Sequence, residues 1–173
     1  RKRGIELIRG NIEHINPEAR TVKVNGSELT GDYLVIALGA EYAPETIPGL
    51  AQAGHNFYTL AGAESLREAR MNFRTGRLVV LVSGVPFKCP AAPYEAAMLL
   101  ESDLRRRGAR DRTSVGLYSP EPGPMGVAGP EVSAMVRQMV ESKGIAYHPE
   151  HTVAKIDPQA RRIYFANDTT ADF

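Results

Sequence analysis

The sequence predicts an α/β fold of the doubly wound type, built on a parallel β-sheet. Two short runs rich in apolar residues, 78–83 and 113–118, are typical of strands buried on both faces. A helix is predicted between them over residues 91–107, and a second helix ends at Lys143. Because strands and helices alternate along the chain, the strands are expected to run parallel in one sheet.

The two helices are predicted from the spacing of their apolar residues and from their ends. The first stops before Gly108, and its apolar side chains lie at helical spacing: Tyr94, Ala97, Met98 and Leu104. The second has Pro130 in its first turn and Gly144 at its C-terminal cap. Its predicted core face consists of Val132, Met135, Val136, Met139 and Val140. A loop rich in Pro and Gly, residues 119–130, precedes it.

Two stretches, residues 3–33 and 143–173, share an order of features that indicates a repeat. Each runs from a basic residue and Gly-Ile through a short strand, an Asn-Pro or Asp-Pro turn and Ala-Arg to an Asp followed by an aromatic residue. Asn25-Gly26 predicts a β-hairpin in the first copy, and Asn167-Asp168 marks the matching turn. Strands are expected in the second copy near Ile145, Val153 and Ile163. The alternative is a chance resemblance between two hairpins.

The repeat predicts that the chain is a piece of a longer protein. Residues 34–40 (LVIALGA) form a continuous apolar run after the first copy, which predicts a buried strand. We therefore expect residues 1–40 to end one α/β unit. Residues 41–76 would connect the units through a short helix at 64–70. Residues 77–173 would form an NAD(P)-binding-like unit that stops before its last strand.

Composition excludes several classes of protein. The 173 residues are 43% hydrophobic and 24% charged, with a net charge of +1, so a globular core is expected and a nucleic-acid partner is not. One cysteine excludes an internal disulfide and a zinc site built from cysteines. No apolar run is long enough to predict a membrane span. The basic cluster is interpreted as the solvated end of a helix: Arg105, Arg106, Arg107, Arg110 and Arg112.

The segment at residues 84–97 (GVPFKCPAAPYEAA) lies where a dinucleotide-binding unit carries its phosphate loop. Such a loop needs several glycines, and its backbone N–H groups hold the pyrophosphate. Here Gly84 is the only glycine, and Pro86, Pro90 and Pro93 have no N–H to donate. The segment therefore predicts poor binding of NAD and NADP.

Cys89 is expected near the start of a helix, at the carboxyl end of a buried strand. The helix dipole and Lys88 would both favour its thiolate form. The alternative is a small, buried apolar side chain. Glu121, just past the second strand, stands where a ribose-binding acid would, or else is a solvated loop residue. His148 and His151 form an H-x-x-H pair that does not predict a metal site, because no helix presents both on one face.

Longer segments resemble a known family of flavoproteins. "DYLVIALGA" followed by "PETIPGL" resembles the end of the FAD unit in flavoproteins with two dinucleotide-binding domains. "PFKCPAAPYEAAMLL" and "EPGPMGVAGPEV" resemble the sulfide:quinone oxidoreductase and flavocytochrome c sulfide dehydrogenase flavoprotein family, within the pyridine nucleotide-disulfide oxidoreductase superfamily. The resemblance implies a Rossmann-like fold with a β-hairpin. It also implies an oxidoreductase with FAD as cofactor and makes NAD(P) doubtful.

The resemblance further implies roles for particular residues. Cys89 would be one half of a redox-active cysteine pair, attacked by sulfide to give a persulfide, with electrons passing through FAD to a quinone or a cytochrome. Its motif neighbours would be Pro90, Pro93, Tyr94 and Glu95. Glu95, about one and a half helical turns beyond Cys89, would shuttle protons or else be a solvated helix N-terminal acid. Residues expected to contact the cofactor are Gly39, Ala40, Gly84, Pro86 and Lys88.

The sequence also allows other interpretations of its function. The partner cysteine is expected in a later segment, and the connection has none in residues 54–60. The chain would then be inactive and would bind FAD weakly by itself. One alternative is an NAD(P)H-dependent flavoprotein whose nucleotide loop has drifted, and another is a non-catalytic nucleotide-fold module. The substrate could be another small sulfur compound. A homo-oligomer and a cytoplasmic or peripheral membrane location are both left open.

Overall fold

A computed structural model describes residues 4–173 of the chain. These residues form four α-helices and nine β-strands in three sheets. The chain divides between Tyr42 and Ala43 into two compact units. Arg3, the basic residue expected to open the first repeat copy, lies outside the described residues.

The first unit is a three-stranded antiparallel sheet. Its strands are β1 (Ile12–Asn16), β2 (Thr21–Val24) and β3 (Ser27–Thr30), in that order. Asn25 and Gly26 join β2 to β3, and both have a positive φ, +49° and +77°. A two-residue hairpin turn that matches the strand twist needs this left-handed backbone, so the predicted hairpin is confirmed.

The apolar run at residues 34–40 is not a strand, contrary to the prediction. It has no ladder pairing, and Val35 is 86% exposed and Leu38 68% exposed. A strand needs a neighbour with free backbone groups, and none of the strands in residues 4–173 pairs with it. The apolar composition of residues 34–40 therefore predicts a segment suited to burial, but it does not specify which element would pair with it.

The second unit opens with helical segments. A 3-10 helix (Pro44–Thr46) and a single-turn helix α1 (Leu50–Ala53) precede α2 (Leu60–Asn72). The side chain of Thr59 caps α2 by accepting a hydrogen bond from the backbone N–H of Gly62. The short helix predicted at 64–70 is therefore confirmed and is longer than expected.

A parallel sheet forms the centre of the second unit. Its strands are β4 (Gly76–Leu81), β5 (Thr113–Tyr118) and β6 (Ala146–His148), in that order. Helix α3 (Ala92–Arg106) connects β4 to β5. A 3-10 helix (Gly126–Ala128) and α4 (Pro130–Ser142) connect β5 to β6. The predicted alternation of strands and helices is confirmed, and so is the parallel sheet.

Alternate residues of β4 face opposite sides of this sheet. Val80 packs in a core with residues of α3 such as Tyr94 and Leu104. Val79 and Leu81 pack on the other side, against a second antiparallel sheet. That sheet consists of β7 (Val153–Asp157), β8 (Arg162–Phe165) and β9 (Thr170–Asp172). Helices therefore cover one face of the parallel sheet, and an antiparallel sheet covers the other.

Equivalent residues are paired in the two antiparallel sheets, as the repeat predicts. Ile12 pairs with Val24 in the first copy, and Val153 pairs with Phe165 in the second. Each first strand has one irregularity at the same place, immediately after this pair. Each copy also has an arginine with positive φ in the first turn, Arg20 at +54° and Arg161 at +51°. These features support a true repeat over a chance resemblance.

The predicted core face of α4 is only partly correct. Val140 is fully buried and Val136 packs against the core, but Met135 is 64% exposed. Val132 and Met139 are also exposed. Within the described residues α4 contacts α3, β6 and the 3-10 helix before it, and these neighbours cover only one edge of the apolar face. The spacing of the apolar residues predicts which face of α4 is apolar. It does not predict how much of that face the neighbouring elements cover.

The arginine cluster is not simply a solvated helix end. Two acidic residues of α3, Glu101 and Asp103, are almost completely buried. Arg105 and Arg110 pair with Glu101. Asp103 is paired with three further arginines: Arg70, Arg106 and Arg107. Its arginines thus form ion pairs with two buried carboxylates, although the side chains of Arg105 and Arg106 are 66% and 76% exposed, and Arg70 of α2 joins this network to α3.

None of the helices in the described part of the chain is both long enough and apolar enough to span a lipid bilayer. The expected cytoplasmic or peripheral membrane location stays a prediction. The assignment of residues 1–40, 41–76 and 77–173 to parts of two nucleotide-binding domains also stays a prediction.

Candidate functional site

The segment between β4 and α3, residues 82–91, is termed the cysteine loop. It starts where the sheet ends: the N–H of Val82 donates to the carbonyl of Tyr118 at 2.9 Å, one residue beyond β4. From there the loop lies at the carboxyl edge of the parallel sheet. This is the edge at which sheets of this class bind their ligands.

Cys89 is an exposed free thiol in this loop. Its carbonyl accepts a hydrogen bond from the N–H of Ala92, the first residue of α3, at 2.9 Å. Its φ is +52°, a left-handed conformation uncommon outside glycine, asparagine and aspartate. The expected place at a helix start is confirmed, and the alternative of a buried apolar side chain is wrong. Its assignment as a catalytic cysteine stays a prediction.

The cysteine loop is attached to the segment that precedes α2. The hydroxyl of Tyr58 donates a hydrogen bond to the carbonyl of Lys88 at 2.8 Å. Tyr58 is half-buried and stacks on Phe57, with ring centroids 5.1 Å apart. This contact joins residues 30 positions apart, and no local sequence pattern indicates it.

Two prolines remove backbone donors from the cysteine loop. Pro86 and Pro90 have no N–H, and Pro93 in the first turn of α3 is buried. Gly84 has open space where a Cβ would lie, and Lys88 is exposed. The cofactor contacts assigned to Gly84, Pro86 and Lys88 stay predictions.

Glu121 is held by side chains and is not a solvated loop residue. Its carboxylate accepts hydrogen bonds from the hydroxyl of Tyr94 at 3.2 Å and from the hydroxyl of Ser119 at 3.4 Å. Tyr94 and Ser119 are both fully buried. Burial, followed by the nearby Tyr147 and the negative charge of Glu121, raises the pKa of Tyr94 well above its usual range. The phenol is therefore a neutral donor, and one oxygen of the Glu121 carboxylate, Oε2, is already engaged where a ribose-binding acid would be free.

Tyr147 of β6 lies beside this group. Its ring meets that of Tyr94 edge to face, with centroids 6.1 Å apart. Its buried hydroxyl has no hydrogen-bond partner within residues 4–173. Burial raises the pKa of Tyr147, so this group is also a neutral phenol.

Glu95 is exposed in the first turn of α3. This is where an acidic side chain is favoured by the helix dipole, which is the structural alternative to a proton shuttle. The shuttle role stays a prediction.

Gly39 and Ala40 belong to the first unit and are exposed. Gly39 has a φ of +76° and open space at the position of a Cβ, so a ligand could approach its backbone closely. Their assignment to cofactor binding stays a prediction.

The two histidines of the H-x-x-H pair lie together at the carboxyl edge of the parallel sheet. The His148 ring stacks on Tyr118 with centroids 4.2 Å apart, and His151 packs edge-on to the same ring. Burial, and then the neighbouring His151, lower the pKa of His148. Residues 4–173 contain no group of three His, Cys, Asp or Glu side chains that could hold a metal ion. The pair is thus part of an aromatic cluster.

The second unit has a parallel sheet with an antiparallel sheet on one face and the cysteine loop at its carboxyl edge. This arrangement agrees with a family match. The model of the pyridine nucleotide-disulphide oxidoreductase family matches residues 1–172. The chain belongs to this family. The predicted superfamily and its Rossmann-like fold are therefore confirmed, and the prediction of an oxidoreductase is confirmed at the level of the family.

Among curated relatives, the chain is similar to the sulfide-quinone reductase of Aquifex aeolicus (strain VF5), with 28% identity over 165 residues. This match covers 91% of the chain and 37% of the relative. It is also similar to the alternative NAD(P)H-ubiquinone oxidoreductase C1, chloroplastic/mitochondrial, of Arabidopsis thaliana. That match has 32% identity over 126 residues and covers 61% of the chain and 23% of the relative.

Among solved structures, the chain is similar to the sulfide:quinone oxidoreductase of Aquifex aeolicus, with a TM-score of 0.71 and 26% identity. The match covers 98% of the chain and 41% of that structure. The chain thus spans well under half the length of these proteins.

Proposed function

We propose that the complete protein is an FAD-dependent oxidoreductase that oxidises sulfide through Cys89 and passes the electrons to a quinone. The observation that carries the proposal is the exposed Cys89 at the start of α3, in a loop whose prolines remove donors that a dinucleotide would need. The similarity in sequence and in structure to a relative named for sulfide and quinone supports this choice of substrate and acceptor.

FAD is proposed as the cofactor, and the first unit has a suitable feature for it. Gly39 combines a left-handed backbone with open space at the Cβ position, which allows a flat or charged ligand to approach the main chain. Gly39 and Ala40 are the residues of this chain that would help to hold it. When bound, FAD supplies an acceptor for two electrons.

The proposed chemistry of Cys89 is thiol–disulfide exchange. In the oxidised protein, Cys89 would share a disulfide with a second cysteine of the complete protein. Hydrosulfide attacks one sulfur of that disulfide; a new S–S bond gives a persulfide on one cysteine, and the other cysteine leaves as a thiolate. The exposed position of Cys89 provides the access this exchange requires. Glu95 is the proposed acceptor for the proton released from the sulfur substrate.

The finer assignments are part of the same proposal. A quinone is favoured over a cytochrome as acceptor because the Aquifex relative, matched by sequence and by structure, is named for a quinone. A peripheral membrane location fits such an acceptor, since quinones are apolar.

A second candidate function rests on the Arabidopsis relative, which is named for NAD(P)H. In that case the second unit would bind a nicotinamide nucleotide in place of a sulfur substrate. The prolines of the cysteine loop and the engaged carboxylate of Glu121 both weigh against this candidate.

The test uses the complete protein with its cofactor bound. Sulfide or NADH is added without oxygen, and bleaching of the flavin absorbance is followed. We expect sulfide to bleach the flavin, and Cys89→Ser to abolish that reaction with the melting temperature unchanged. Ser102→Ala, on an exposed position of α3, is the matched control. Bleaching by sulfide at the unaltered rate in Cys89→Ser, or rapid bleaching by NADH alone, would contradict the proposal.

A further inference from the structure

The residue before Cys89 is held by a side chain from a distant part of the chain. The Tyr58 hydroxyl donates to the carbonyl of Lys88 at 2.8 Å. That carbonyl belongs to the same rigid peptide unit as the N–H of Cys89, so the bond orients the peptide plane from which Cys89 extends. The contact lies wholly within the second unit.

The peptide on the other side of Cys89 is also fixed. The carbonyl of Cys89 accepts a hydrogen bond from Ala92 at 2.9 Å, which attaches it to the start of α3. With both flanking peptides restrained, only the side-chain torsion of Cys89 is left to place its sulfur. A left-handed backbone at a residue other than glycine persists only when its surroundings impose it, and Cys89 has φ +52°.

Tyr58 is itself well anchored. Its ring stacks on Phe57, and its backbone N–H donates to the side chain of Asn56 at 2.9 Å. The next residue, Thr59, is the N-cap of α2. The Tyr58 side chain is therefore held next to the N-terminus of α2. Its hydrogen bond to the carbonyl of Lys88 connects the cysteine loop to that helix.

We propose that Tyr58 is a positioning residue for Cys89, holding the Lys88–Cys89 peptide so that the sulfur stays aligned for thiol–disulfide exchange. The inference rests on the proposed function, because it assigns to Tyr58 the alignment of the cysteine that reacts. Exchange requires the attacking sulfur to approach along the S–S axis, so small displacements of either sulfur reduce its rate.

The experiment compares Tyr58→Phe with the unaltered complete protein. Phenylalanine keeps the stacked ring and removes only the hydroxyl. We expect the rate constant for flavin bleaching at saturating sulfide to fall by about tenfold. The sulfide concentration at half-saturation and the melting temperature should change little. We also expect faster hydrogen–deuterium exchange at the end of the cysteine loop, at the Ala92 N–H that donates to the carbonyl of Cys89, with exchange in α2 unaltered. A residue that served only stability would lower the melting temperature without this selective loss of maximal rate.

Two further variants make the outcome decisive. Tyr164→Phe removes a hydroxyl from β8 of the same unit and should leave rate and loop exchange unaltered. Cys89→Ser tests the proposed function separately. If Cys89→Ser abolishes bleaching but Tyr58→Phe reacts at the full rate, the positioning role is wrong and the proposed function stands. If Cys89→Ser still reacts fully, the proposed function fails, whatever loop exchange Tyr58→Phe displays. Unaltered exchange of the Ala92 N–H in Tyr58→Phe would overturn the positioning role by itself.

Discussion

The hydroxyl of Tyr94 donates a hydrogen bond to the carboxylate of Glu121 at 3.2 Å, and this bond joins the first turn of α3 to the residues after β5. Both elements meet at the carboxyl edge of the parallel sheet, where the cysteine loop also lies. The backbone of Glu121 takes part as well: its carbonyl accepts from the N–H of Glu150 at 3.1 Å. Glu121 thus links three segments of the second unit.

Tyr94→Phe should lower the free energy of unfolding by about 1–2 kcal/mol, because a half-buried carboxylate loses a donor that water replaces only partly. Urea unfolding, followed by circular dichroism, measures the difference. Tyr164→Phe serves as a control that removes a hydroxyl elsewhere. Equal stability of Tyr94→Phe and the unaltered chain would mean that the bond contributes nothing.

Asp103 should make the stability of the chain sensitive to acid. Burial alone would raise its pKa, but hydrogen bonds from Arg106 and Arg70 and the charge of Arg107 lower the pKa below its usual 3.8. The folded state therefore favours the carboxylate, and this stabilisation is present above pH 3.8 and is lost as the pH falls through the lowered value.

The corresponding variant is Asp103→Asn. We expect it to cost about 1–3 kcal/mol at neutral pH, since three arginines lose their shared partner. Thermal melts at a series of pH values should give a smaller acid-induced loss for Asp103→Asn than for the unaltered chain. Parallel curves for the two proteins would show that Asp103 does not carry this pH dependence.

Gly49 should tolerate no side chain. Its φ is +82°, and a Cβ would lie 2.0 Å from the carbonyl oxygen of Ile156, whose N–H bonds to the carbonyl of Pro48. Gly49→Ala is expected to destabilise the second unit by at least about 2 kcal/mol through left-handed strain and displacement of β7. Gly54→Ala is the matched control, because Gly54 has an extended backbone and open space. Similar melting temperatures for both variants would contradict this account.

Nicotinamide nucleotides should bind poorly to the chain. Pro86 and Pro90 remove N–H donors from the cysteine loop, Gly84 is its only glycine, and the Glu121 carboxylate is already hydrogen-bonded. Titration calorimetry with NADH and NADPH is expected to give dissociation constants near millimolar, on the order of −4 kcal/mol. Micromolar binding that Glu121→Ala removes would instead favour the NAD(P)H-dependent candidate.

The sequence was most informative where a local pattern determines the structure. The apolar strands β4 and β5, helix α3 and the Asn25-Gly26 hairpin follow from periodicity and turn chemistry, and they place Cys89 at a helix start. Features that depend on distant partners were not predictable. The Tyr58–Lys88 and Tyr94–Glu121 hydrogen bonds join residues about thirty positions apart, and no periodicity encodes them.

The errors have the same physical origin. Residues 34–40 have the composition of a buried strand, but a strand also needs a neighbour, which local sequence does not specify. The exposed Met135 and Met139 of α4 show the same limit for a helix face. The ion pairs of Arg107 and Arg110 were not predicted, because the buried Asp103 and Glu101 are recognisable only from the packing of α3.

Because Cys89 is both the only cysteine of the chain and exposed, it offers a single attachment point for a chemical probe. Within residues 1–173, a maleimide-linked fluorophore or a nitroxide spin label would react at this thiol alone. The label would sit at the carboxyl edge of the parallel sheet, held by a backbone that hydrogen bonds fix on both sides. Its emission or line shape would therefore report movement of this edge directly.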